Sequence, residues 1–307
     1  MYFTLHQLQV YLKITELQSI TKASEVLNLT QPAVSIQLKN FQDQFPIALT
    51  EVVGRKLYVT DFGKEIAIAA EKIINEADAI NFRTLAYEGK LSGRLKISVV
   101  STAKYVMPFF LSDFMKQNEG VELVMDVTNK SRVLESLEKN EVDFALVSVL
   151  PKKLNVEKIE LMQNKLFYVA SNSLEFKKGI SEKKLFEEYP LIYREVGSAT
   201  KEAMEHFLSK NKFEVRKKLV LTSNEAVKQA VLAGLGCSIM PLIGLRNELK
   251  NNDLQIIPVS GLPINTSWNL IWLKSKKMSP AAKAYIEFLN LQKETITHKN
   301  FEWIKNY

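Results

Sequence analysis

Residues 64–88 contain neither proline nor glycine, and this uninterrupted stretch divides the chain. Within it Ile66, Ala70, Ile73, Ala77, Ile80, Thr84 and Tyr87 recur in steps of four and three. That rhythm is the seam of a two-stranded coiled coil, held for about three heptads. Asp61 suits the N-cap. A helix packed on its own domain would also bury one stripe, but the length of the rhythm favours a dimerising linker over 61–88. A glycine-containing hinge, 89–94, follows.

Beyond the hinge the texture changes. "RLKISVV", "VELVMDVT" and "DFALVSV" read as strands separated by helical stretches at Thr102–Gln117 and "KSRVLESLEKN". This βαβαβ order implies a parallel sheet with helices on its faces. A second run starts at "KLFYVASN", continues through "PLIYRE", "KKLVLTS" and "GCSIMP", and closes with the strand "WNLIWLK" and a helix from Ala281 to Leu291. The order suits two α/β lobes joined by two crossing strands. The expected domain covers 95–293, with lobe I at 95–166 and 268–293, lobe II at 167–267, and an unassigned tail at 294–307.

Ahead of the long helix, residues 1–60 carry short helices. Ser19 and Thr30 can each cap one, and Pro32 falls in a first turn where its missing amide costs little. Val34, Leu38, Phe41 and Phe45 form one buried stripe, while Gln31, Ser35, Lys39 and Gln42 follow the same rhythm about one residue further round. Pro46 ends this helix, and "GRKLYVT" reads as a turn into a wing strand. Two short helices joined by a tight turn suit a major groove, where amides, hydroxyls and lysine meet base edges or phosphates. Gln31, Ser35, Gln37 and Lys39 are the candidate readers. Ser19, Thr21, Thr30, Pro32, Arg55 and Lys56 complete the candidate DNA face. A small helical dimerisation domain with a solvated polar face remains the alternative.

Charge does not announce that face. Residues 1–94 hold ten Lys/Arg and ten Asp/Glu, so the whole net charge of +7 lies beyond them. The single cysteine, Cys237, rules out an internal disulfide and fits a reducing compartment. No apolar run reaches the roughly 18 residues of a membrane helix, and the N-terminus lacks the features of a signal peptide. A cytoplasmic protein with no membrane partner is expected.

Ligands of α/β sheets bind beyond the carboxyl ends of strands, at helix N-termini. Ser101 and Thr102 end the first strand, Thr128 and Asn129 the second, and Ser148 lies near the end of the third. Ser198, Thr200, Thr222, Ser223 and Asn224 hold equivalent places in the second lobe. These hydroxyls suit a small anionic or polar metabolite. Enzymatic signals are missing, so no enzyme is expected. His6, His206 and His298 lack metal-ligand spacing, no nucleophile elbow or phosphate loop occurs, and Lys104 or Asp126 alone is poor evidence of catalysis. No cofactor and no metal are expected, and Cys237 reads as a buried structural thiol.

The stretch "SITKASEVLNLTQPAVSIQLKNFQDQF" followed by "GRKLYVTDFGKEI" resembles the N-terminal domain of LysR-type transcriptional regulators. The matching positions are Ala23, Leu27, Thr30, Gln31, Pro32, Ala33, Ser35, Gly54, Arg55, Thr60 and Gly63. "STAKYVMPFFLSDF", "REVGSAT" and "SNEAVKQAVLAGLGCSIMP" resemble effector domains of sulfur-assimilation and, more nearly, carbon-fixation regulators. The resemblance implies a winged helix-turn-helix, a linker helix and a two-lobed effector domain like periplasmic binding proteins. It implies an effector held by Ser101, Thr102, Thr128, Ser198 and Thr200. It further implies promoter DNA, a small-molecule co-inducer and RNA polymerase as partners, with assembly as a homodimer or homotetramer. One departure stands out. Leu49, Thr50, Glu51 and Val52 replace the usual Leu-Phe-Glu-Arg before the wing, and Phe45, Pro46 and Ile47 the usual Leu-Gly-Val, which removes an aromatic and a phosphate-binding arginine. The rival reading is a small-molecule-binding protein whose DNA-binding domain is degenerate.

Overall fold

The computed structural model describes residues 2–54, 56–87, 90–215 and 217–307, with backbone alone for 78, 79 and 81–87. The chain forms two units, Met1–Lys90 and Leu91–Tyr307.

In the first unit, α1 (Leu5–Leu17) begins at a capping box, Thr4 accepting from the Gln7 amide and Gln7 from the Thr4 amide. Gln18 and Asn28, at φ +48° and +53°, end α1 and α2 (Ile20–Leu27). Ser19 caps α2 and Thr30 caps α3 (Gln31–Gln42), with Pro32 in its first turn, as their spacing predicts. Three helices this short bury little alone, so the core must be shared. Leu8, Tyr11, Ile14, Ala23, Val34, Leu38 and Phe41 supply it. The Phe41 ring is held by Phe3, Tyr11 and Phe45 at 5.7, 5.0 and 5.2 Å. The wing is an antiparallel pair, β1 (Thr50–Val53) and β2 (Lys56–Val59), turned by Gly54 at φ +58°.

The long helix α4 spans Asp61–Tyr87. Its expected seam divides between two environments. Ala70 is buried in the unit's own core and Ile66 packs against that core, because the first turns of α4 lie along α1. Ile73 and Ile80 are exposed, as is Ile68, which lies off the seam. Thr84 and Tyr87 belong to the positions whose side chains are not described.

In the second unit β3 (Ser92–Val100) runs parallel to β4 (Gly120–Thr128) and β5 (Phe144–Val147), with α5 (Met107–Gln117) and α6 (Lys130–Glu138) as crossovers. The expected hinge therefore overlaps the sheet, since Ser92 and Arg94 already pair with Gly120 and Glu122. The 16-residue β6 (Val156–Ser171) is the spine between the lobes. Next come α7 (Glu182–Glu188), β7 (Leu191–Arg194), α8 (Ala199–Asn211), β8 (Lys218–Leu221) and α9 (Asn224–Leu232). The chain continues through β9 (Ser238–Pro241), α10 (Arg246–Lys250), β10 (Leu254–Ile256), β11 (Ile264–Leu273) and α11 (Pro280–Phe301). One end of β6 pairs with β11, the other with β9 and β10, so a single seven-stranded sheet passes through both lobes. The pair β7–β8 joins β9 through the Leu191–Cys237 bridge. Trp268, Tyr285, Phe110, Phe114 and Phe144 anchor one core, and Tyr168, Phe186, Leu191 and Phe207 the other.

The tail corrects the sequence reading. Helix α11 runs ten residues past the expected Leu291, to Phe301, and a 3-10 turn covers Glu302–Asn306. Phe301 stacks on Phe110 at 6.0 Å and meets Phe109 edge-on at 5.2 Å, while Ile296 and Ile304 are buried. The Arg246 guanidinium lies over the Trp303 ring at 5.4 Å. Residues 294–307 thus pack into the core through Ile296, Phe301 and Ile304.

Candidate functional site

The candidate residues gather on two surfaces, one in each unit. On the first, Gln31, Pro32 and Lys39 of α3 are exposed and Ser35 and Gln37 half-exposed, with Thr21 and Lys56 exposed nearby in sequence. Thr30 and Ser19 spend their hydroxyls as caps, accepting from the Ala33 and Lys22 amides at 3.3 Å. Among the described residues no hydrogen bond or ion pair occupies the side chains of Gln31, Ser35, Gln37 or Lys39. Arg55 lies outside the described residues.

Gln42 differs from the expected polar stripe. Its amide oxygen accepts from the Thr50 backbone N–H at 3.0 Å and hydroxyl at 2.8 Å, so it fastens the wing to α3. Periodicity could not distinguish a reader from a tether. Ile36, on the same helix and 56% exposed, was not singled out; an exposed aliphatic group there suits a thymine methyl. The wing itself carries exposed Val52, Val53 and Tyr58. The joint below it explains two further positions. Thr60 donates its hydroxyl to Ala48 O at 2.7 Å and accepts from the Gly63 amide at 2.9 Å.

The second surface is a recess in the effector unit, where strand ends and helix starts converge. Val100 ends β3, Asn129 precedes α6, Arg194 ends β7, and Ser198, Ala199 and Thr200 open α8; Ser101, Thr102 and Lys130 complete the lining. Its free volume is about 10 Å³, room for one water molecule at most. Thr102, Ser198 and Thr200 are 6%, 4% and 8% exposed. Ser198 occupies the cap position of α8, yet its hydroxyl accepts none of that helix's amides. Among the described residues, the hydroxyls of Ser101, Thr102, Ser198 and Thr200 make no hydrogen bond. None of these hydroxyl oxygens is among the fully buried atoms that lack a partner, so they stay open to the recess, where a ligand or water can reach them.

Of the ten sequence candidates, five line the recess: Ser101, Thr102, Asn129, Ser198 and Thr200. Asn129 divides its duty, since its side-chain oxygen caps α6 by accepting from the Arg132 amide at 3.1 Å. Five candidates do not line it, Thr222 and Asn224 on either side of Ser223 among them. Thr128 ends β4 and Ser148 lies one residue past β5, both outside the lining. Ser223 is committed to α9, accepting from the Ala226 amide at 3.0 Å.

The cations in the recess escaped the sequence reading. Arg194 is only 4% exposed, and Glu195 grips it through Nε at 2.7 Å and Nη2 at 2.8 Å. Guanidinium has five N–H donors, so this bidentate pair compensates the buried charge while leaving donors for a second anion. Lys130 Nζ is held by Glu202 Oε2 at 2.6 Å, an ion pair between the lobes. A basic residue ending the strand that precedes "GSAT" was the available signal for Arg194. The positive ends of α6 and α8 add to the same field. The recess thus suits an anion, and its residues present no nucleophile–base pair. Elsewhere, Cys237 is buried and burial pushes its thiol pKa up, which disfavours the reactive thiolate. Among the described residues no His, Cys, Asp or Glu cluster could hold a metal, and no helix is long and apolar enough to cross a membrane.

Comparison with known proteins matches this arrangement over both units. Residues 5–64 match the bacterial regulatory helix-turn-helix protein domain of the lysR family, and residues 88–292 the LysR substrate binding domain. The chain belongs to the LysR family. As a LysR-type protein it is a DNA-binding transcriptional regulator with an effector-binding domain, and its relatives are regulators rather than enzymes. It is 35% identical to the HTH-type transcriptional activator CmpR of a Synechocystis strain, over 96% of this chain and 97% of that protein. It is also 35% identical to a RuBisCO operon transcriptional regulator of Allochromatium vinosum, over 94% and 96%. The likeness to carbon-fixation regulators thus spans the whole LysR chain. The solved regulatory domain of Synechocystis CcmR in complex with 2-PG is 29% identical, with a TM-score of 0.60, covering 64% of this chain and 96% of that one.

Proposed function

We propose that this regulator senses a small anion at the recess between its lobes and transmits its binding to promoter DNA held by α3. The observation that carries the reading is the convergence of Thr102, Ser198 and Thr200, largely buried residues whose hydroxyls make no hydrogen bond among the described residues, on the half-committed guanidinium of Arg194. The 2-PG complex of the related CcmR domain supports a ligand of this kind. At about 10 Å³ the recess cannot admit a metabolite as it stands. Binding therefore selects a more open arrangement of the lobes, and only a difference in affinity between the two arrangements can drive the switch.

The rest of the assignment follows the family. Gln31, Ser35, Gln37 and Lys39 read the major groove, with Ser19, Thr21, Thr30, Pro32 and Lys56 flanking. The exposed Ile73 and Ile80 of α4 dimerise the chain, and linked dimers form a tetramer that contacts RNA polymerase in the cytoplasm. The test uses the full chain and promoter fragments recovered with it from cells. Footprints on the best fragment are compared with and without 2-PG, inorganic phosphate or sulfate, for wild type and Ser198→Ala/Thr200→Val. An anion-dependent change of footprint that the double variant loses is expected. Recovery of no fragment above background would leave a small-molecule-binding protein with a degenerate DNA-binding domain.

A further inference from the structure

A second cavity of about 420 Å³ lies against the recess and runs along α8, where Val149, Ala203, Phe207, Pro263 and Ile264 form an apolar wall. Two features join the spaces. Ala199 lines both, and Glu202, on the wall of the larger cavity, holds the Lys130 ammonium of the recess at 2.6 Å. The Lys130–Glu202 pair thus links a closed polar pocket to an open, mainly apolar one that His206, Lys210 and Asn265 also line. Its two members are unequal. The Lys130 side chain is 13% exposed and that of Glu202 53%. An exposed carboxylate gives up an ion pair at small cost, while a sequestered lysine must keep an anion.

We infer that Glu202 stands in for the effector's anionic group, and that the effector is an anion bearing an apolar body that enters the α8 cavity once Glu202 is displaced. The anion takes Lys130 and Arg194 together with the free hydroxyls of Thr102 and Ser198, and Glu202 swings into water. This rests on reading the recess as an anion site. It deepens that reading by assigning the ligand's second half, for which the recess has no room and the larger cavity, at metabolite-pocket scale, does.

The test is calorimetric titration of the full chain with three probes of shared anionic chemistry: inorganic phosphate, methyl phosphate and phenyl phosphate. Phenyl phosphate is expected to bind at least about tenfold tighter than methyl phosphate, through burial of its ring. Ala203→Trp and, separately, Val149→Trp, each confirmed folded by its thermal transition, should erase that advantage. Glu202→Gln should tighten both organic phosphates by about two- to fivefold, since the internal competitor is gone. Equal affinities for methyl and phenyl phosphate in the wild type, or an advantage that survives both filling substitutions, overturns the two-compartment effector. Weaker binding by Glu202→Gln overturns the stand-in role. If none of the three phosphates binds, the anion reading of the recess itself fails, and this inference falls with it.

Discussion

Gly63→Ala sets two physical effects of opposite sign against each other. Gly63 sits in the first turn of α4, where helix propensity alone favours alanine by about 1 kcal/mol. A Cβ built there lies 2.1 Å from the Leu49 carbonyl oxygen and 2.9 Å from the Tyr11 hydroxyl. Neither neighbour yields freely. Leu49 O is held by the Thr60 amide at 3.0 Å, and Tyr11 donates to Gly63 O at 2.8 Å from a buried position that pushes its pKa up to about 12. Relieving the overlap requires a displacement of about 1 Å, comparable to overpacking that costs about 1–3 kcal/mol. Loosening the Tyr11 bond adds about 1 kcal/mol. The net expectation is a loss of about 1–3 kcal/mol confined to the first unit. Hydrogen exchange of the full chain, read by mass spectrometry, reports it. Slow amides in residues 5–42 should exchange roughly 5- to 150-fold faster, with residues 91–307 as the unchanged internal control. Exchange at the wild-type rate or slower would mean that propensity outweighs the close approach and would refute the packing argument.

Other perturbations probe the remaining parts. Gln31→Ala should reduce discrimination between matched and scrambled promoter sites by about 1–3 kcal/mol, whereas Lys39→Ala should weaken binding to both and lower the salt slope by about one. Gel-shift titrations across salt concentrations check both, and unchanged behaviour in the pair would sink the docking of α3. Phe301→Ala should cost the effector unit about 3–5 kcal/mol in urea unfolding, since the ring is 4% exposed; a loss below about 1 kcal/mol would return residues 294–307 to the status of a loose tail. The Tyr105 hydroxyl donates to Glu225 at 3.0 Å. Burial acts to raise the Glu225 carboxyl, but Gln229, Tyr105 and Lys228 outweigh it and hold it below the ordinary carboxylate value. A lowered carboxylate stabilises the fold above its unfolded pKa and loses that contribution as pH falls through the folded value. The destabilisation by Tyr105→Phe should therefore be full near neutrality and shrink as pH drops below the ordinary carboxylate range; a cost constant with pH would detach it from Glu225.

What the residues alone determined was local or periodic. Ser19, Thr30 and Pro32 mark helix starts because capping acts within three or four residues, and Val34, Leu38 and Phe41 reveal a buried face because a helix repeats every 3.6. The alternation of strands and helices announced the parallel pairing of β3 with β4 and β5, but not the antiparallel pairing of β6 with β9, β10 and β11, whose partners are distant in sequence. Helix α11 was cut short because "QKETITHKN" dilutes the apolar rhythm, and only the rings of Phe109 and Phe110, almost two hundred residues earlier, make Phe301 a core residue. The same distance hid the charges of the recess. Lys130 and Glu202 are 72 residues apart, and Arg194 reads as one more basic residue until β7 ends beside α6. Gln42 and Gln31 share one helix, yet one tethers the wing and the other is left free, a difference set by where Thr50 arrives. Side chains separated along the chain acquire a role only from the neighbours that folding brings, since hydrogen bonds, ion pairs and packing all decay within a few ångströms.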